Sequence, residues 1–379
     1  MTTTLTPTDL SSAGEAMAKS EGTVRIQGAD TAHGWAGTPG RADTVLDTTG
    51  LTGLLAYNPA DMTISVLAGT PLETVQRQVA RHGQRVAFDA ARVRRGATVG
   101  GLIATADSGP LAPAYGSLRD LVIGATVVLA DGTIARTGGH VIKNVAGYDL
   151  TKLLHGSYGA FGLLAEVVLR LHPLTTHRTV RRTCTLDEAI GHTRTLMASA
   201  LEPVSLEWVA GTLLARIEGT TAGTDARAAD LADLIDGTVL PEDEAATEWE
   251  RHAALVDGAT VRLGCRPSRL AEVLADRAGP VVAGLASGVA TVTAPGTEID
   301  DLHDRVTAAG GTSVTRHRPD GTGRAWGQRP SALGVVRALK HELDPDRRLC
   351  SGRFESWLEP ADTTSSAVPR TETTQEERT

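Results

Sequence analysis

Aromatic residues and cysteines are scarce in this chain of 379 residues. Phe, Trp and Tyr make up 3% of it, so a core must be built from Leu, Val, Ile and Ala, and the hydrophobic content of 41% is sufficient for one. The cysteines Cys184, Cys265 and Cys350 lie far apart and form no CxxC pair. The sequence therefore encodes neither a zinc site nor an iron–sulfur cluster, and a reducing cytoplasm is the simplest expectation.

Long apolar runs and an excess of basic charge are also missing. No run approaches the roughly 18 residues that a membrane-spanning helix needs. Residues 1–22 contain no basic stretch followed by an apolar one, so we expect no signal peptide. The formal net charge of −8 argues against a nucleic-acid partner, because such a partner requires a basic surface.

Two common nucleotide-binding motifs are absent. No G-x-G-x-x-G links a strand to a helix near the N-terminus, and the glycines at 159–162 precede a strand-like segment, which disfavours a Rossmann domain. No G-K-[ST] occurs, so a Walker A loop is excluded. The 41 glycines therefore need another explanation, such as tight turns and a close approach of the backbone to a ligand.

Hydrophobic periodicity predicts a mixture of helices and strands. Residues 60–69 alternate Met62, Ile64 and Val66 on one face, which predicts a half-buried strand. Residues 121–139 predict a hairpin with its turn at Asp131 and Gly132. No internal repeat is present.

One helix is predicted with particular detail, over residues 70–83. Thr70 fits the N-cap, Pro71 fits the first helical position, and Glu73 completes a capping box. The apolar residues of the segment recur on one face of the helix, and they are Leu72, Val75 and Val79.

Glycine is concentrated in three segments, at residues 25–37, 96–120 and 138–164. Glycines at the ends of strands allow backbone amides to converge on phosphate oxygens without a lysine. Any one such segment is more often structural. Together, the three indicate a long ligand that contains a pyrophosphate.

The order of these motifs resembles the PCMH-type FAD-binding domain of the vanillyl-alcohol oxidase superfamily. The resemblance rests on RIQGADT, AGTPLETV, TVGGLIATADSG, GSLRDLVIG, GGHVIKNVAGYDL and GSYGAFGLL, over residues 23–175. LDPDRRLCSGRF, at residues 343–354, is similar to the family's C-terminal return segment. Within the superfamily, the chain looks closest to the smaller FAD-binding subunit of bacterial glycolate oxidase.

The resemblance implies an α+β fold class, with a PCMH-type FAD-binding domain of two α/β subdomains and a smaller α+β cap domain. We expect a loose N-terminus over residues 1–20 and the FAD-binding domain over 21–175. The cap or substrate-type domain then covers 176–335, and a return segment covers 336–358. Residues 359–379 are rich in Thr and Glu and are expected to form a disordered tail.

The resemblance also implies the cofactor and its binding residues. We expect non-covalent FAD, since Thr31 stands where some relatives carry a histidine bonded to the flavin and His33 lies two positions away. A carboxylate at Asp30 is unfavourable near phosphates unless it points away. Asn144 either contacts the ligand or satisfies a turn. The expected cofactor-binding residues are Gln27, Gly28, Ala29, Asp30, Thr31, Thr98, Val99, Gly100, Gly101, Thr105, Ser108, Gly109, Gly116, Ser117, Asp120, Lys143, Asn144, Gly159, Gly162 and Leu163.

Catalytic residues are harder to identify in the sequence. The histidine cluster that binds a metal in the larger catalytic relatives has no counterpart pattern here, so no metal site is expected. Arg316 and His317, beside Arg318, are the weak candidates for holding a substrate carboxylate. A solvated loop is the favoured alternative for this segment. Arg353 in the return segment is similarly ambiguous.

The resulting hypothesis is an FAD-dependent oxidoreductase, the flavin subunit of a glycolate-oxidase-like 2-hydroxy-acid dehydrogenase complex. Its expected partners are a larger FAD-binding subunit, an iron–sulfur subunit and a small 2-hydroxy acid. Contact with the inner face of the membrane through these partners is left open. Three alternatives remain: a non-catalytic assembly subunit that retains the flavin fold, a self-sufficient oxidase or dehydrogenase of a small hydroxy acid, and a reductase of the same fold with a nicotinamide donor.

Overall fold

The computed structural model describes residues 2–140, 148–277, 279–318, 321–354 and 357–358. The expected flavin contacts Lys143 and Asn144 and the expected tail from residue 359 lie outside these described residues. None of the described helices is both long and apolar enough to cross a membrane.

Strands and helices alternate along the described chain. The strands are β1 (Thr3–Leu5), β2 (Val24–Gln27), β3 (Thr44–Asp47), β4 (Leu54–Asn58), β5 (Thr63–Leu67), β6 (Gln84–Arg85), β7 (Val122–Val128), β8 (Ile134–Gly138), β9 (Leu163–Arg170), β10 (His172–Pro173), β11 (Thr176–Thr183), β12 (Ser205–Val209), β13 (Thr212–Gly219), β14 (Thr238–Val239), β15 (Val261–Gly264), β16 (Val281–Gly284), β17 (Val289–Val292) and β18 (Thr312–Thr315). The helices are α1 (Leu10–Lys19), α2 (Leu72–Ala80), α3 (Val99–Ala104), α4 (Ala112–Tyr115), α5 (Leu118–Leu121), α6 (Leu186–Met197), α7 (Thr221–Ile235), α8 (Glu242–Gly258), α9 (Leu270–Leu274), α10 (Ile299–Ala308) and α11 (Leu333–Leu343). Short 3-10 turns lie at Thr48–Gly50, Ala91–Arg95, Leu150–Leu153, Pro267–Arg269 and Gly296–Glu298.

The N-terminal segment is ordered, which corrects the expectation of a loose start over residues 1–20. Strand β1 pairs in parallel with β3, and β2 pairs in parallel with the other side of β3. Helix α1 connects the two outer strands β1 and β2, and its residues Ala13 and Met17 are fully buried. The Thr-rich composition was misleading because β-branched Thr also suits a strand.

A five-stranded sheet in the order β4-β5-β9-β7-β8 lies between two apolar cores. Ile64 and Val66 pack with α2 and α3 on one face, while Leu163 on the other face packs with α1. Strand β5 is therefore buried on both faces instead of one, and Met62 lies just outside it and is exposed. The hairpin of β7 and β8 is confirmed, with the turn at Asp131 and Gly132.

Helix α2 differs from the prediction at its start. It begins at Leu72, Pro71 occupies the N-cap, and no side chain caps the helix. The hydroxyl of Thr70 instead accepts a hydrogen bond from the amide of Gly53 at 2.9 Å. The predicted apolar face is confirmed, because the side chains that it comprises are fully buried: Leu72, Val75 and Val79.

An eight-stranded antiparallel sheet follows, in the order β14-β11-β13-β12-β16-β17-β15-β18. Helices α6, α7, α9 and α10 cover one face and form the largest core with it. The opposite face turns toward the FAD-type segment, as the ion pairs Arg85–Glu218 and Arg216–Asp89 show. The predicted α+β class is confirmed. The domain boundaries remain predictions, and the chain passes between sheets at the connection from Pro173 to Thr176.

The C-terminal segment returns to the first sheet. Helix α11 ends at Leu343, shortly before Pro345, which has no amide hydrogen and cannot continue a helix. The Asp344 carboxylate is fully buried, pairs with Lys340 and accepts the amide of Leu349 at 2.9 Å. Leu349 in turn forms a parallel bridge with Val24 at the start of β2. A buried ion pair thereby attaches the end of the chain beside β2.

Candidate cofactor site

A cleft of about 920 Å³ lies where the loop after β2, the first turns of α3 and the segment before β9 converge. The expected binding residues that line the cleft are Gln27, Gly28, Ala29, Asp30, Thr31, Thr98, Gly100, Gly101, Thr105, Gly159 and Gly162. Residues from three distant stretches of the sequence are thus brought together.

The other described candidates lie elsewhere. Val99 and Leu163 are fully buried and belong to the apolar cores on the two faces of the five-stranded sheet. Ser108 and Gly109 line a different, smaller pocket.

Three further candidates form the start of α5 instead of a wall of the cleft. The Asp120 carboxylate accepts the amide of Ser117 at 2.9 Å, and the Ser117 hydroxyl accepts the amide of Arg119 at 3.2 Å. This is a capping box, and Gly116 precedes it in a left-handed conformation with φ of +82°. Their polar groups satisfy backbone groups of the protein, which explains the polar sequence.

The loop from residue 28 to 32 presents free backbone amides. None of the amides from Gly28 to Ala32 donates a hydrogen bond to any residue that the structure describes. A row of unsatisfied amides beside a cleft is suited to the oxygens of a pyrophosphate. The Asp30 carboxylate contacts the His33 ring nitrogen Nδ1 at 3.1 Å, so a basic group faces the charge that the sequence places in this loop.

The glycine-rich segment before β9 supplies the opposite wall. Gly162 has φ of +138°, a conformation that side chains rarely adopt, and an added Cβ would lie 2.7 Å from the Val128 carbonyl oxygen. The amide of Tyr158 donates to the carbonyl of Ala104 at 2.8 Å, which attaches this segment to the end of α3. The run of glycines therefore serves close backbone packing at the edge of the cleft.

Arg92 is a cleft residue that sequence reasoning missed. It is buried, and its guanidinium donates to the Asp107 carboxylate at 2.8 Å and to the Thr31 hydroxyl at 2.9 Å. It also donates to the Thr105 hydroxyl and lies over the Trp35 ring, 4.3 Å from its centroid. Arg92 connects the two loops that carry expected FAD contacts. Its sequence, ARVRRG, resembles an exposed basic turn and provides no signal of this role.

Arg316 is not in a solvated loop, which corrects the favoured alternative for this segment. It is 2% exposed and pairs with Asp107 at 3.3 Å. Its guanidinium lies over the Trp35 ring, 4.0 Å from the ring centroid. Burial lowers the pKa of Arg316 to about 10, although the attraction of Asp107 opposes this shift. His317 Nε2 donates a hydrogen bond to the Asp257 carbonyl, 3.2 Å away, and His317 does not line the cleft.

Arg353 does line the cleft. It donates hydrogen bonds to the carbonyls of His33, at 3.0 Å, and of Trp35 and Gly37. The return segment therefore holds the end of the loop that follows β2, and the role of Arg353 in this structure is to position that loop.

A second cleft of about 930 Å³ adjoins the first, and Thr105 and Tyr158 line both. Its walls include strands β15 and β18 of the large sheet and a cluster of aromatic rings. Trp326 and Phe354 stack with ring centroids 5.3 Å apart, and Tyr158 meets both rings edge-on. Such a cleft is suited to a flat ring system. Within the described part of the chain, no group of three or more His, Cys, Asp or Glu side chains is arranged to hold a metal ion.

Comparison with known proteins identifies the class to which this site belongs. Residues 5–138 match the family described as FAD binding domain. The chain therefore contains an FAD-binding domain of the PCMH type, as its motifs predicted, and FAD is the cofactor. The free amides after β2 and the flat aromatic cleft fit the pyrophosphate and the ring of this cofactor.

Particular relatives share parts of the chain. Glycolate oxidase subunit GlcE of Escherichia coli (strain K12) is 34% identical over 168 residues, which are 44% of this chain and 48% of that protein. A D-lactate dehydrogenase of Archaeoglobus fulgidus is 35% identical over 158 residues, 41% of this chain and 35% of that protein. These matches span about half or less of the relatives' own length.

The fold is also found in solved structures. An alkyldihydroxyacetonephosphate synthase superimposes with a TM-score of 0.67 at 14% sequence identity, over 92% of this chain and 75% of that one. At this identity the likeness shows the fold alone, including the part that follows the FAD-binding domain.

Proposed function

We propose that this chain is an FAD-dependent oxidoreductase, the flavin subunit of a glycolate-oxidase-like complex that oxidises small 2-hydroxy acids. The observation that carries the proposal is the continuity of the two clefts through Thr105 and Tyr158. A dinucleotide bound by the loop after β2 would reach the aromatic cleft, where the FAD-binding part meets the large sheet. The similarity to a glycolate oxidase subunit supports the choice of substrate class.

The chain's own residues would bind and orient the cofactor. The amides of residues 28–32 would bind the pyrophosphate, and Arg92 would hold Thr31 and Thr105 in position beside it. The rings of Trp326 and Phe354 would exclude water from the second cleft. Bound FAD would supply the acceptor for the two electrons that a hydroxy acid loses when it becomes an oxo acid. We propose that FAD is held non-covalently, since Thr31 stands where a covalent attachment would require a histidine.

The proposed function also requires partner subunits. We infer that a larger FAD-binding subunit and an iron–sulfur subunit accompany this chain, and that the isolated chain reduces its flavin slowly. The described residues that line the two clefts include no histidine other than His33, which faces Asp30. A base for the hydroxyl proton is therefore expected from a partner.

The test is anaerobic stopped-flow mixing of the purified flavoprotein with glycolate, D-lactate and L-lactate. Flavin bleaching should be slow for the isolated chain and faster when the partner subunits are co-purified. Rapid bleaching by the isolated chain would instead show a self-sufficient dehydrogenase. If the complex shows no flavin bleaching, and loading this chain with FAD does not produce any, the chain is an assembly subunit.

A further inference from the structure

We propose that a small pocket between the large sheet and the FAD-binding part is a binding site for a small carboxylate anion. The pocket has a volume of about 400 Å³. Its polar lining includes Arg262, Arg316, Thr291 and the pair Glu207–His252. It is distinct from the two clefts already described, although Arg262 lines both it and the aromatic cleft.

The charges around the pocket are unbalanced in favour of an anion. Three guanidinium groups, those of Arg92, Arg262 and Arg316, act on the buried carboxylate of Asp107. Burial raises the pKa of Asp107, but the three cations together hold it below its ordinary value. Asp107 and Glu207 together cannot neutralise three cations, and uncompensated charge in a poorly solvated site is costly. An added anion would reduce this imbalance.

Two residues that line the pocket each carry a buried polar atom without a partner among the described residues. Thr291, on β17, is 5% exposed, and its hydroxyl has no hydrogen-bond partner among the described residues. The Nε of Arg316, which is 2% exposed, is likewise unpaired within the described chain. Buried polar groups are normally satisfied, so two such donors in the wall of one small pocket favour a ligand that accepts hydrogen bonds.

The remaining groups of the two arginines are already held in place. Arg262 donates to the carbonyl of Ala106, and Arg316 donates to the carbonyl of Val256 at 2.9 Å. These bonds fix the guanidinium planes before any ligand arrives. A planar guanidinium with free N–H groups matches a carboxylate better than a spherical or tetrahedral anion.

An acidic side chain also lines the pocket and limits the size of the ligand. Glu207 is buried and contacts His252 Nε2 at 3.1 Å, so its charge is directed toward that ring. A ligand with one carboxylate and a short body would reach the arginines while leaving this pair intact. Larger or multiply charged anions would approach Glu207 and be repelled.

Calorimetric titration of the full-length flavoprotein with acetate, glycolate and inorganic phosphate tests the site. We expect one carboxylate to bind per chain, with phosphate binding at least tenfold more weakly. Thr291→Val removes one donor to a charged ligand and should weaken carboxylate binding about 10-fold, and Arg262→Gln should weaken it about 100-fold. Thr193→Val is the matched control, because Thr193 on α6 also has a buried hydroxyl without a described partner but does not line the pocket, and it should bind like the parent.

The results distinguish a substrate bound at this site from a different carboxylate ligand. If glycolate is a substrate at this site, its dissociation constant should equal the concentration at which flavin bleaching is half-saturated, and acetate should compete. If the site serves a different carboxylate, binding persists without any effect on bleaching. The proposal is overturned if no carboxylate binds, if phosphate binds as tightly, or if Thr291→Val matches Thr193→Val. Acetate has no hydroxyl group that the flavin could oxidise, so its titration measures binding without turnover, and this outcome is independent of the proposed oxidation.

Discussion

Replacing Gly101 by Val would test whether the first turns of α3 lie against the cofactor. Gly101 lines the FAD cleft, and an added Cβ would meet only the Thr98 hydroxyl, at 3.0 Å, among described atoms outside its own helix and adjacent residues. The protein therefore leaves room for a side chain at this position. The isopropyl group of Val would project into the cleft and occupy volume that FAD needs.

The expected effect on folding is small and the expected effect on FAD binding is large. Val favours a helix over Gly by a few tenths of a kcal/mol, whereas disturbing the Thr98 cap costs up to about 1 kcal/mol. The free energy of unfolding should thus stay within about 1 kcal/mol of the parent. Overfilling a packed site costs about 1–3 kcal/mol, which corresponds to roughly 5- to 150-fold weaker FAD binding.

Two measurements decide this prediction. Reconstitution of the apoprotein, followed by quenching of flavin fluorescence, gives the affinity for FAD, and urea unfolding of the apoprotein gives its stability. Gly191→Val is the matched control, since Gly191 lies in α6 and an added Cβ there meets nothing within 4 Å. Parental FAD affinity in Gly101→Val would refute the assignment of α3 to the cofactor site.

Further predictions concern how FAD is attached to the protein and what the side chains of Lys340 and His155 contribute to stability. Acid precipitation should leave the yellow colour in the supernatant, and colour in the pellet would show a covalent bond. Lys340→Met should lower the free energy of unfolding by about 3–5 kcal/mol, because the Asp344 carboxylate stays buried without its partner. Lys19→Met, which breaks an exposed pair of the same spacing, should cost at most about 1 kcal/mol, and equal urea midpoints would contradict this contrast. Stability should decline as the pH falls from about 6.5 toward 4, by up to about 3 kcal/mol, because burial lowers the pKa of His155 to about 4 and the unfolded chain binds more protons in this range. Urea unfolding of His155→Gln should show a flatter pH dependence than that of the parent.

The sequence by itself determined the features that depend on local pattern. The order of glycine motifs carried the family resemblance that implied the FAD-binding domain. The Asp131-Gly132 turn predicted the hairpin, and the periodicity of Leu72, Val75 and Val79 predicted the buried face of α2. The hairpin turn and the helix face each involve residues that are close together in the sequence. Propensity and hydrophobic spacing therefore suffice to predict them.

Only the tertiary structure decided features that depend on distant neighbours. The cap of α2 was predicted wrongly because Thr70 bonds to Gly53, which lies in another loop. The N-terminal strand is stable because β3 pairs with it.

The buried network at the candidate site is the clearest example of a feature that depends on residues distant in the sequence. Arg92, Asp107 and Arg316 form one buried network, yet Arg316 lies 209 residues from Asp107 and its sequence resembles a solvated loop. Local composition reports how polar a segment is, but burial and charge balance depend on what packs against it. The loops of the FAD-binding part and the large sheet had to meet in three dimensions before this network, and the pocket beside it, could be recognised.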